Sequence, residues 1–288
     1  MVCGIIGFSL LRLCHYPQAP AVYDACDRLG IVVLECTPGW QWCLGTGPFR
    51  TRAYQNIREM IRRDRNHPSV ILWEVSLNET GATERYMWND KWSGADDDFM
   101  HTCHLIAHEE YPGDQMITAG DTVGRVDPDF VDFDVRYPGP ENDQSKGRTK
   151  KPVFHREYGD FEFGFHFSTS RQERRFGEHA MKNAAWNFVF ADNRDRSTEG
   201  IVGNAIWVGI DYTRPYFIPE PICTCGAFDL FRIPRFTAEY FRSYREDAPH
   251  VFLADYWSGT EPVRKVVVFS NCEEIELFVN GHSVGRHR

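Results

Sequence analysis

Short apolar runs alternate with amphipathic stretches along most of this 288-residue chain. Residues 31–35 are hydrophobic at nearly every position, which is typical of a strand covered on both faces of a parallel sheet. The preceding residues 21–29 have a helical pattern and are followed by Gly30, a common residue at helix C-termini. The alternation recurs further along the chain, so it predicts βα units built around a parallel sheet.

The same patterns predict the remaining elements. Strands are expected at residues 5–13, 70–75, from 153 onward and 203–210, with short ones near 116–119 and 130–135. Helices are expected at residues 52–65, 96–110, 172–190 and 234–244. Beyond about residue 250, residues 263–269 and 274–279 alternate in the manner of a β-hairpin, with Asn280-Gly281 as a turn dipeptide. We therefore assign residues 1–250 to an α/β domain and 251–288 to the start of an all-β domain.

Composition excludes several classes of protein. The chain has 42% apolar and 25% charged residues, which is typical of a folded globular domain. Its net charge of -9 and pI near 5.7 argue against a nucleic-acid partner. No apolar run reaches the length of about 18 residues that a membrane span requires. The nine cysteines form no pair of CxxC motifs, so we expect free thiols rather than a structural zinc site.

Two glutamates, Glu79 and Glu157, stand 78 residues apart, and each follows or ends an apolar strand. A lone glutamate at a strand end is most often an ordinary surface residue. Two carboxylates at the mouths of different parallel strands, however, are what a glycosidase requires. One protonates the leaving oxygen, and the other attacks or stabilises the sugar carbon.

Several segments carry a resemblance to a known family. They are residues 7–17, with Arg12 and the run His15-Tyr16-Pro17, and residues 23–31, 62–73, 151–159, 205–212 and 270–281. In this order and spacing they resemble glycoside hydrolase family two, the group that contains β-galactosidases, β-glucuronidases and β-mannosidases. The resemblance covers nearly the whole chain.

The resemblance implies a (β/α)8 TIM barrel with both carboxylates on its C-terminal face. Glu79 would be the acid/base and Glu157 the nucleophile of a retaining double displacement, with the two carboxyl groups about 5–5.5 Å apart. The family's first barrel strand and its amino-terminal domains have no counterpart here. We therefore expect a fragment that lacks the first strand and ends at the start of a β-sandwich domain.

The resemblance also implies a set of sugar-binding residues. Asn78 would donate to the sugar 2-hydroxyl, Tyr137 would donate to Glu157, and Trp207 would be an apolar platform under the sugar. The further residues on the same rim are Arg12, His15 and Glu35. Within the fourth strand, Glu74 is an extra carboxylate, for which we predict a structural pairing with Arg12.

One helix carries His101, His104 and His108, a spacing that can hold a metal ion. A helix in the outer ring of a barrel lies far from the chemistry, so we expect neither a metal nor another cofactor. A metal-dependent hydrolase built on these histidines is the weakest alternative for the function.

The leading interpretation is hydrolysis of terminal β-galactosides. The Asn-x-Lys motif with which family members bind a glucuronide carboxylate is not evident, and Thr213-Arg214-Pro215 stands after the predicted eighth strand. Other β-glycosides (glucosides, mannosides, arabinosides) stay open, as does a non-catalytic carbohydrate-binding remnant. The expected partner is a β-glycoside or oligosaccharide, without nucleic acid or membrane; the sequence leaves linkage, aglycone, oligomeric state and compartment open.

Overall fold

The computed structural model describes residues 6–39, 47–76, 97–113, 116–118, 130–136, 151–158, 174–213, 222–257, 260 and 262–288. The chain divides into two compact units. The first comprises Ser9–Tyr158 and Arg194–Ala205, and the second comprises Met1–Phe8, Gly159–Asn193 and Ile206–Arg288. The boundary at residue 250 stays a prediction.

The first unit contains two sheets. Four parallel strands follow one another in the order β1 (Leu10–Leu13), β2 (Val32–Cys36), β3 (Val70–Glu74) and β4 (Ile117–Thr118). The second sheet has the order β5 (Asp134–Arg136), β6 (Val153–Tyr158) and β7 (Ile201–Ile206). Within each sheet, every strand pairs with the next along the chain, as in successive βα units. The predicted parallel architecture is therefore confirmed.

Three helices connect the strands of the first sheet. They are α1 (Pro20–Leu29), α2 (Gly47–Asp64) and α3 (Asp97–Glu110). Helix α1 begins with proline at its first position and ends at Gly30, whose φ of 65° lies in the left-handed region that favours glycine. Helices α2 and α3 pack together, and Arg58 and Arg62 of α2 both form ion pairs with Glu110 of α3.

One face of the strands forms a shared core. Its buried members are Leu34 and Cys36 of β2, Val135 of β5 and Phe154 of β6, together with Phe133. Since the two sheets contribute to the same cluster, they enclose one interior, as the strands of a barrel do. Leu10, Leu72 and Ala205 pack against this cluster from β1, β3 and β7.

The opposite face of the strands meets the helical layer. Trp73 is fully buried, and its ring lies 5.4 Å from that of Tyr111, just beyond α3. Because side chains alternate along a strand, Trp73 points away from the interior while its neighbours Leu72 and Glu74 point into it. This alternation decides which polar side chains can reach the centre of the barrel.

The second unit contains most of helix α4 (Gly177–Ser197), the short pair β8 (Tyr212–Thr213) and β9 (Ile222–Cys223), and helix α5 (Phe236–Arg242). Two antiparallel pairs follow: β10 (Val251–Leu253) with β11 (Val268–Ser270), and β12 (Ile275–Val279) with β13 (His282–His287). Among the described residues, no helix is both long and apolar enough to cross a bilayer.

The structure revises the bounds of several predicted elements, among them the helix expected at residues 172–190, which is α4 (Gly177–Ser197). The strand expected at residues 203–210 is β7, which ends at Ile206, and the strand expected at 263–269 is β11, which pairs with β10. The predicted turn is confirmed between β12 and β13: Asn280 and Gly281 have φ values of 50° and 81°. Positive φ at both positions is the requirement of a type I′ hairpin turn.

Gly203 of β7 generates a first prediction. A Cβ atom at this position would lie 3.0 Å from ring atoms of Phe154, so a side chain would overpack the core. Gly203→Val should lower the free energy of unfolding by about 1–3 kcal/mol in equilibrium urea denaturation. The control Val202→Thr, at an exposed neighbouring position, should change it by less than about 0.5 kcal/mol. Equal stability of the two variants would contradict the packing described for β6 and β7.

Candidate active site

Arg12 of β1 is the centre of a buried ionic cluster. Its Nε and Nη2 atoms each donate to a carboxylate oxygen of Glu74 on β3, both at 2.8 Å. Its Nη1 atom donates to Oε1 of Glu157 on β6 at 2.7 Å. One guanidinium group thus joins three strands from both sheets of the first unit. The predicted pairing of Glu74 with Arg12 is confirmed.

The cluster follows from strand alternation. Arg12 lies two residues from Leu10, and Glu74 lies two residues from Leu72, so both point to the core side of their strands. A guanidinium group offers donors in a planar fork that matches a carboxylate, which suits it to a buried, bidentate pair. The thiol of Cys36 also donates to Glu74 Oε2 at 3.4 Å.

Glu157 has an unusual backbone conformation. Its φ of 55° lies in the left-handed region, which non-glycine residues seldom adopt. Neighbouring residues of a regular strand point to opposite faces, yet fully buried Arg156 donates from Nη1 to Oε1 of Glu157 at 2.9 Å. The left-handed turn ends the alternation and brings the two side chains together. Strained backbone of this kind is concentrated at functional sites.

The electrostatics keep Glu157 ionised. Burial raises the pKa of its carboxyl group, but the positive charges of Arg156 and Arg12 outweigh burial and lower the pKa to about 2. The pKa of Glu74 is also lowered, because the charge and hydrogen bonds of Arg12 outweigh its burial. Both carboxylates are therefore negative at neutral pH, and the site holds a nearly dry anion rather than an acid.

His15 lies beside this anion. A ring nitrogen of His15, the Cys14 thiol and a Glu157 carboxylate oxygen all lie within 4.8 Å of one another. Burial lowers the pKa of His15 to about 4, although the charge of Glu157 opposes this, so the imidazole is neutral at neutral pH. Burial likewise raises the pKa of Cys14 to about 12. The two arginines that bind Glu157 oppose a cation here, so these three donors do not suit a metal ion.

The structure places Glu35 elsewhere. This fully buried residue of β2 alternates with Leu34 and Cys36, which line the core, and its Oε1 accepts a hydrogen bond from Tyr23 of α1 at 2.8 Å. Its carboxylate faces the helical layer, and this position favours a structural role. Its expected sugar contact stays a prediction.

Trp207 belongs to the second unit. Its Nε1 donates to the Tyr212 hydroxyl at 3.1 Å, and the two rings meet edge to face at 5.6 Å. The platform role expected of Trp207 stays a prediction. Three other expected residues, Asn78, Glu79 and Tyr137, lie outside the described residues. The acid/base assignment and the carboxylate separation therefore also stay predictions.

Two residues of the Arg12 cluster were not predicted from the sequence. Arg156 lies two residues from Phe154 and so faces the core, but regular alternation would have turned Glu157 away from it, toward the helices. Cys36 reads as an ordinary small core residue, although its thiol contacts Glu74. The left-handed conformation of Glu157, which brings its carboxylate back to Arg156, has no signal in the sequence.

Comparison with known families identifies the chain. The family model described as "Glycosyl hydrolases family 2, TIM barrel domain" matches residues 3–229, so the chain belongs to this family. A second model, of a domain of unknown function (DUF4982), matches residues 262–288. The barrel fold and the family resemblance are both confirmed.

Curated relatives match nearly the whole chain. β-Galactosidases of Thermoanaerobacter pseudethanolicus and Thermoanaerobacterium thermosulfurigenes are each 31% identical, over 98% and 94% of this chain but only 36% and 37% of their own length. A putative β-glucuronidase of Formosa agariphila is 26% identical over 97% of the chain and 38% of its own length. The chain thus spans a little over a third of these relatives.

Solved structures support the fold. Bacteroides uniformis β-glucuronidase 3 superposes with a TM-score of 0.74 over all of this chain and 40% of its own, at 24% identity. Parabacteroides merdae β-glucuronidase gives a TM-score of 0.71 over 99% of this chain and 39% of its own, also at 24% identity. At these identities the likeness concerns the fold alone.

The Arg12 cluster generates a second prediction. Arg12→Met leaves two buried carboxylates without their shared partner, so it should lower the free energy of unfolding by about 3–5 kcal/mol in urea. The matched control is Arg62→Met, which breaks an ion pair whose arginine is 57% exposed and should destabilise the chain far less, because water screens the pair. An Arg12→Met chain no less stable than the control would contradict the ionic cluster.

Glu35 generates a third prediction. Burial, together with the nearby charge of Asp64, raises the pKa of its carboxyl group from 4.5 to about 8, although Tyr23 opposes the rise through its hydrogen bond. Between these values the folded chain holds a proton that the unfolded chain has released, so stability falls as pH rises toward 8. In urea denaturation at several pH values, Glu35→Gln should remove this fall.

The exposed control Glu59→Gln should follow the wild-type pH profile. If wild type and Glu35→Gln keep a constant difference in stability from about pH 5 to about pH 8, Glu35 is ionised in the folded chain and the environment described for it is wrong.

Proposed function

We propose that this chain carries the nucleophile of a retaining β-glycosidase whose substrates are β-galactosides. The observation that carries the proposal is the state of Glu157. In a barrel of this family, its carboxylate is buried at the end of β6 and held ionised by two arginines. A nucleophilic carboxylate must be deprotonated when substrate binds, and this environment keeps it so across the neutral range.

In the proposed reaction, a carboxylate oxygen of Glu157 attacks the anomeric carbon as the glycosidic bond breaks. Glu79 donates a proton to the leaving oxygen, and a covalent glycosyl-enzyme remains. Glu79 then removes a proton from water, which attacks the same carbon and restores the Glu157 carboxylate. The depressed pKa of Glu157 separates the two roles, since at neutral pH one carboxyl group stays ionised while the other can hold a proton.

Neutral residues beside the anion fit sugar binding. A neutral His15 imidazole can donate to or accept from a sugar hydroxyl without adding charge next to Glu157. Arg12 is already bound by two carboxylates, so its role is to position Glu157 rather than to bind the sugar. We assign His15 to sugar contact and Arg12 to positioning.

Two observations favour β-galactosides. Two relatives named β-galactosidase are 31% identical over nearly the whole chain, whereas putative β-glucuronidases matched over similar lengths are 26% and 22% identical; a third β-galactosidase, of Bacteroides ovatus, is 22% identical. In addition, the Asn-x-Lys motif with which family members bind a glucuronide carboxylate is not evident, and Thr213-Arg214-Pro215 follows the predicted eighth strand.

Covalent trapping tests the proposal. A 2-deoxy-2-fluoro-β-galactoside with a good leaving group should form a slowly hydrolysed adduct, and peptide mass spectrometry should find one fluorosugar on Glu157. Glu157→Gln should remain unlabelled, and Glu109→Gln, at an exposed position on α3, should label like wild type. Glu79→Gln should still be labelled, because a good leaving group needs no protonation, but should release the sugar at least about a hundredfold more slowly.

Three other outcomes of the labelling experiment would change the proposal. A label on a different residue would assign the nucleophile elsewhere. Saturable galactoside binding without any adduct or turnover would identify a carbohydrate-binding remnant. Faster labelling by the corresponding fluoroglucuronide would reverse the proposed substrate class while leaving the mechanism intact.

A further inference from the structure

Three possible metal ligands converge on the outer side of the first unit. His104 and His108 lie on α3, and Asp132 lies just before β5. The Nε2 atom of His108 is 3.1 Å from one carboxylate oxygen of Asp132, and the Nε2 atom of His104 is 3.9 Å from the other. Only two of the three histidines singled out in the sequence take part, and Asp132 was not anticipated.

The local structure holds these groups in place. Residues four apart lie on the same face of a helix, and the two imidazole rings meet edge to face with centroids 4.4 Å apart. The backbone N–H of Ile117 donates to Oδ2 of Asp132 at 2.9 Å, which orients the carboxylate toward α3. His101 takes no part, because its ring stacks on Phe130 at 4.7 Å.

His104 lacks a satisfactory partner. The residue is only 5% exposed, and among the described residues its Nδ1 atom makes no hydrogen bond. Its Nε2 atom is closest to Asp132, and 3.9 Å is too long for a hydrogen bond. The Nε2 atom, which faces Asp132 without bonding it, is therefore available as a ligand for an ion between the two side chains.

A second cluster shows the contrast. His67, Asp24 and Asp27 also bring three donor atoms within 4.8 Å. There, however, the Nδ1 atom of His67 already makes a 2.7 Å hydrogen bond with Asp27, whose other oxygen accepts the N–H of Ser69. That cluster is complete as a clamp between α1 and the start of β3, whereas the cluster on α3 is not.

We propose that His104, His108 and Asp132 bind a divalent transition-metal ion of the Zn²⁺ class. Ligands bound tetrahedrally to zinc at about 2.0 Å lie about 3.3 Å apart, so the observed separations require only small side-chain movements. Imidazole nitrogens favour zinc and its neighbours over Ca²⁺ and Mg²⁺, which prefer oxygen ligands. The His108 side chain is 34% exposed, so water can reach the fourth coordination position of the ion.

The ion would tie helix α3 to the chain that enters β5. Helix α3 precedes β4 in the sequence and Asp132 follows it, so a shared ion would cross-link successive βα units. Binding to the folded chain alone would raise its stability by mass action. The site is independent of the proposed hydrolysis, because none of the three ligands belongs to the Arg12 cluster.

Calorimetric titration of the untagged, chelator-treated chain with Zn²⁺ tests the site. We expect one ion per chain and a higher melting temperature with Zn²⁺ than without. His108→Ala and Asp132→Asn should each weaken binding by at least about tenfold, since each removes one of three ligands. The asparagine variant keeps an oxygen that can accept the Ile117 N–H, which limits damage to the fold. Co²⁺ should show the visible spectrum of a tetrahedral site.

The matched control is His101→Ala, which removes a histidine from the same helix without touching the three ligands. It should bind Zn²⁺ like wild type. The melting temperature of each variant without metal shows whether weaker Zn²⁺ binding comes from the missing ligand or from a less stable fold. Absence of stoichiometric Zn²⁺ binding, an equal loss in His101→Ala, or equally tight binding of Ca²⁺ would overturn the proposal.

Discussion

The buried guanidinium of Arg12 is the constraint on which the centre of this barrel depends. A charge removed from water is tolerated only when it is paired and hydrogen-bonded, and Arg12 meets this requirement with two carboxylates on different strands. Its three nitrogens set the separation of β1, β3 and β6, strands that belong to two different sheets. Packing of the apolar core below the cluster fills the barrel but does not select these particular distances.

The same interaction connects fold and chemistry. Glu74 balances the charge of Arg12, so that Arg12 can stand beside Glu157 without an excess of buried positive charge, and Arg156 adds a second donor from the adjacent position. Burial alone would make Glu157 a weak acid that stays protonated. The two arginines reverse this effect, and the left-handed backbone of Glu157 presents its carboxylate to both of them. The Glu157 carboxylate is therefore ionised yet poorly solvated, which suits the nucleophilic role proposed for it.

Much of the fold could be predicted because hydrophobic periodicity reports it directly. Continuous apolar runs at β2 and β3, with a glycine cap after α1, indicate parallel strands and their helices. The site was harder, because a strand buried on both faces does not reveal which face lines the barrel. The resemblance placed Glu35 on the sugar-binding rim, whereas its carboxylate bonds Tyr23 of α1 in the structure. The pairing of Arg156 with Glu157 depends on a left-handed residue, and the orientation of Asp132 depends on a tertiary contact. No local sequence pattern encodes either.

The protonation state of Glu157 tests the account most directly. Difference infrared spectroscopy between wild type and Glu157→Gln would follow its carboxylate band as the pH is lowered from about 7 to about 3.5, the range in which an ordinary glutamate titrates. The two arginines predict that the Glu157 carboxylate band persists throughout this range. Protonation with a midpoint near or above the usual pKa of about 4.3 would contradict the role of the Arg12 cluster.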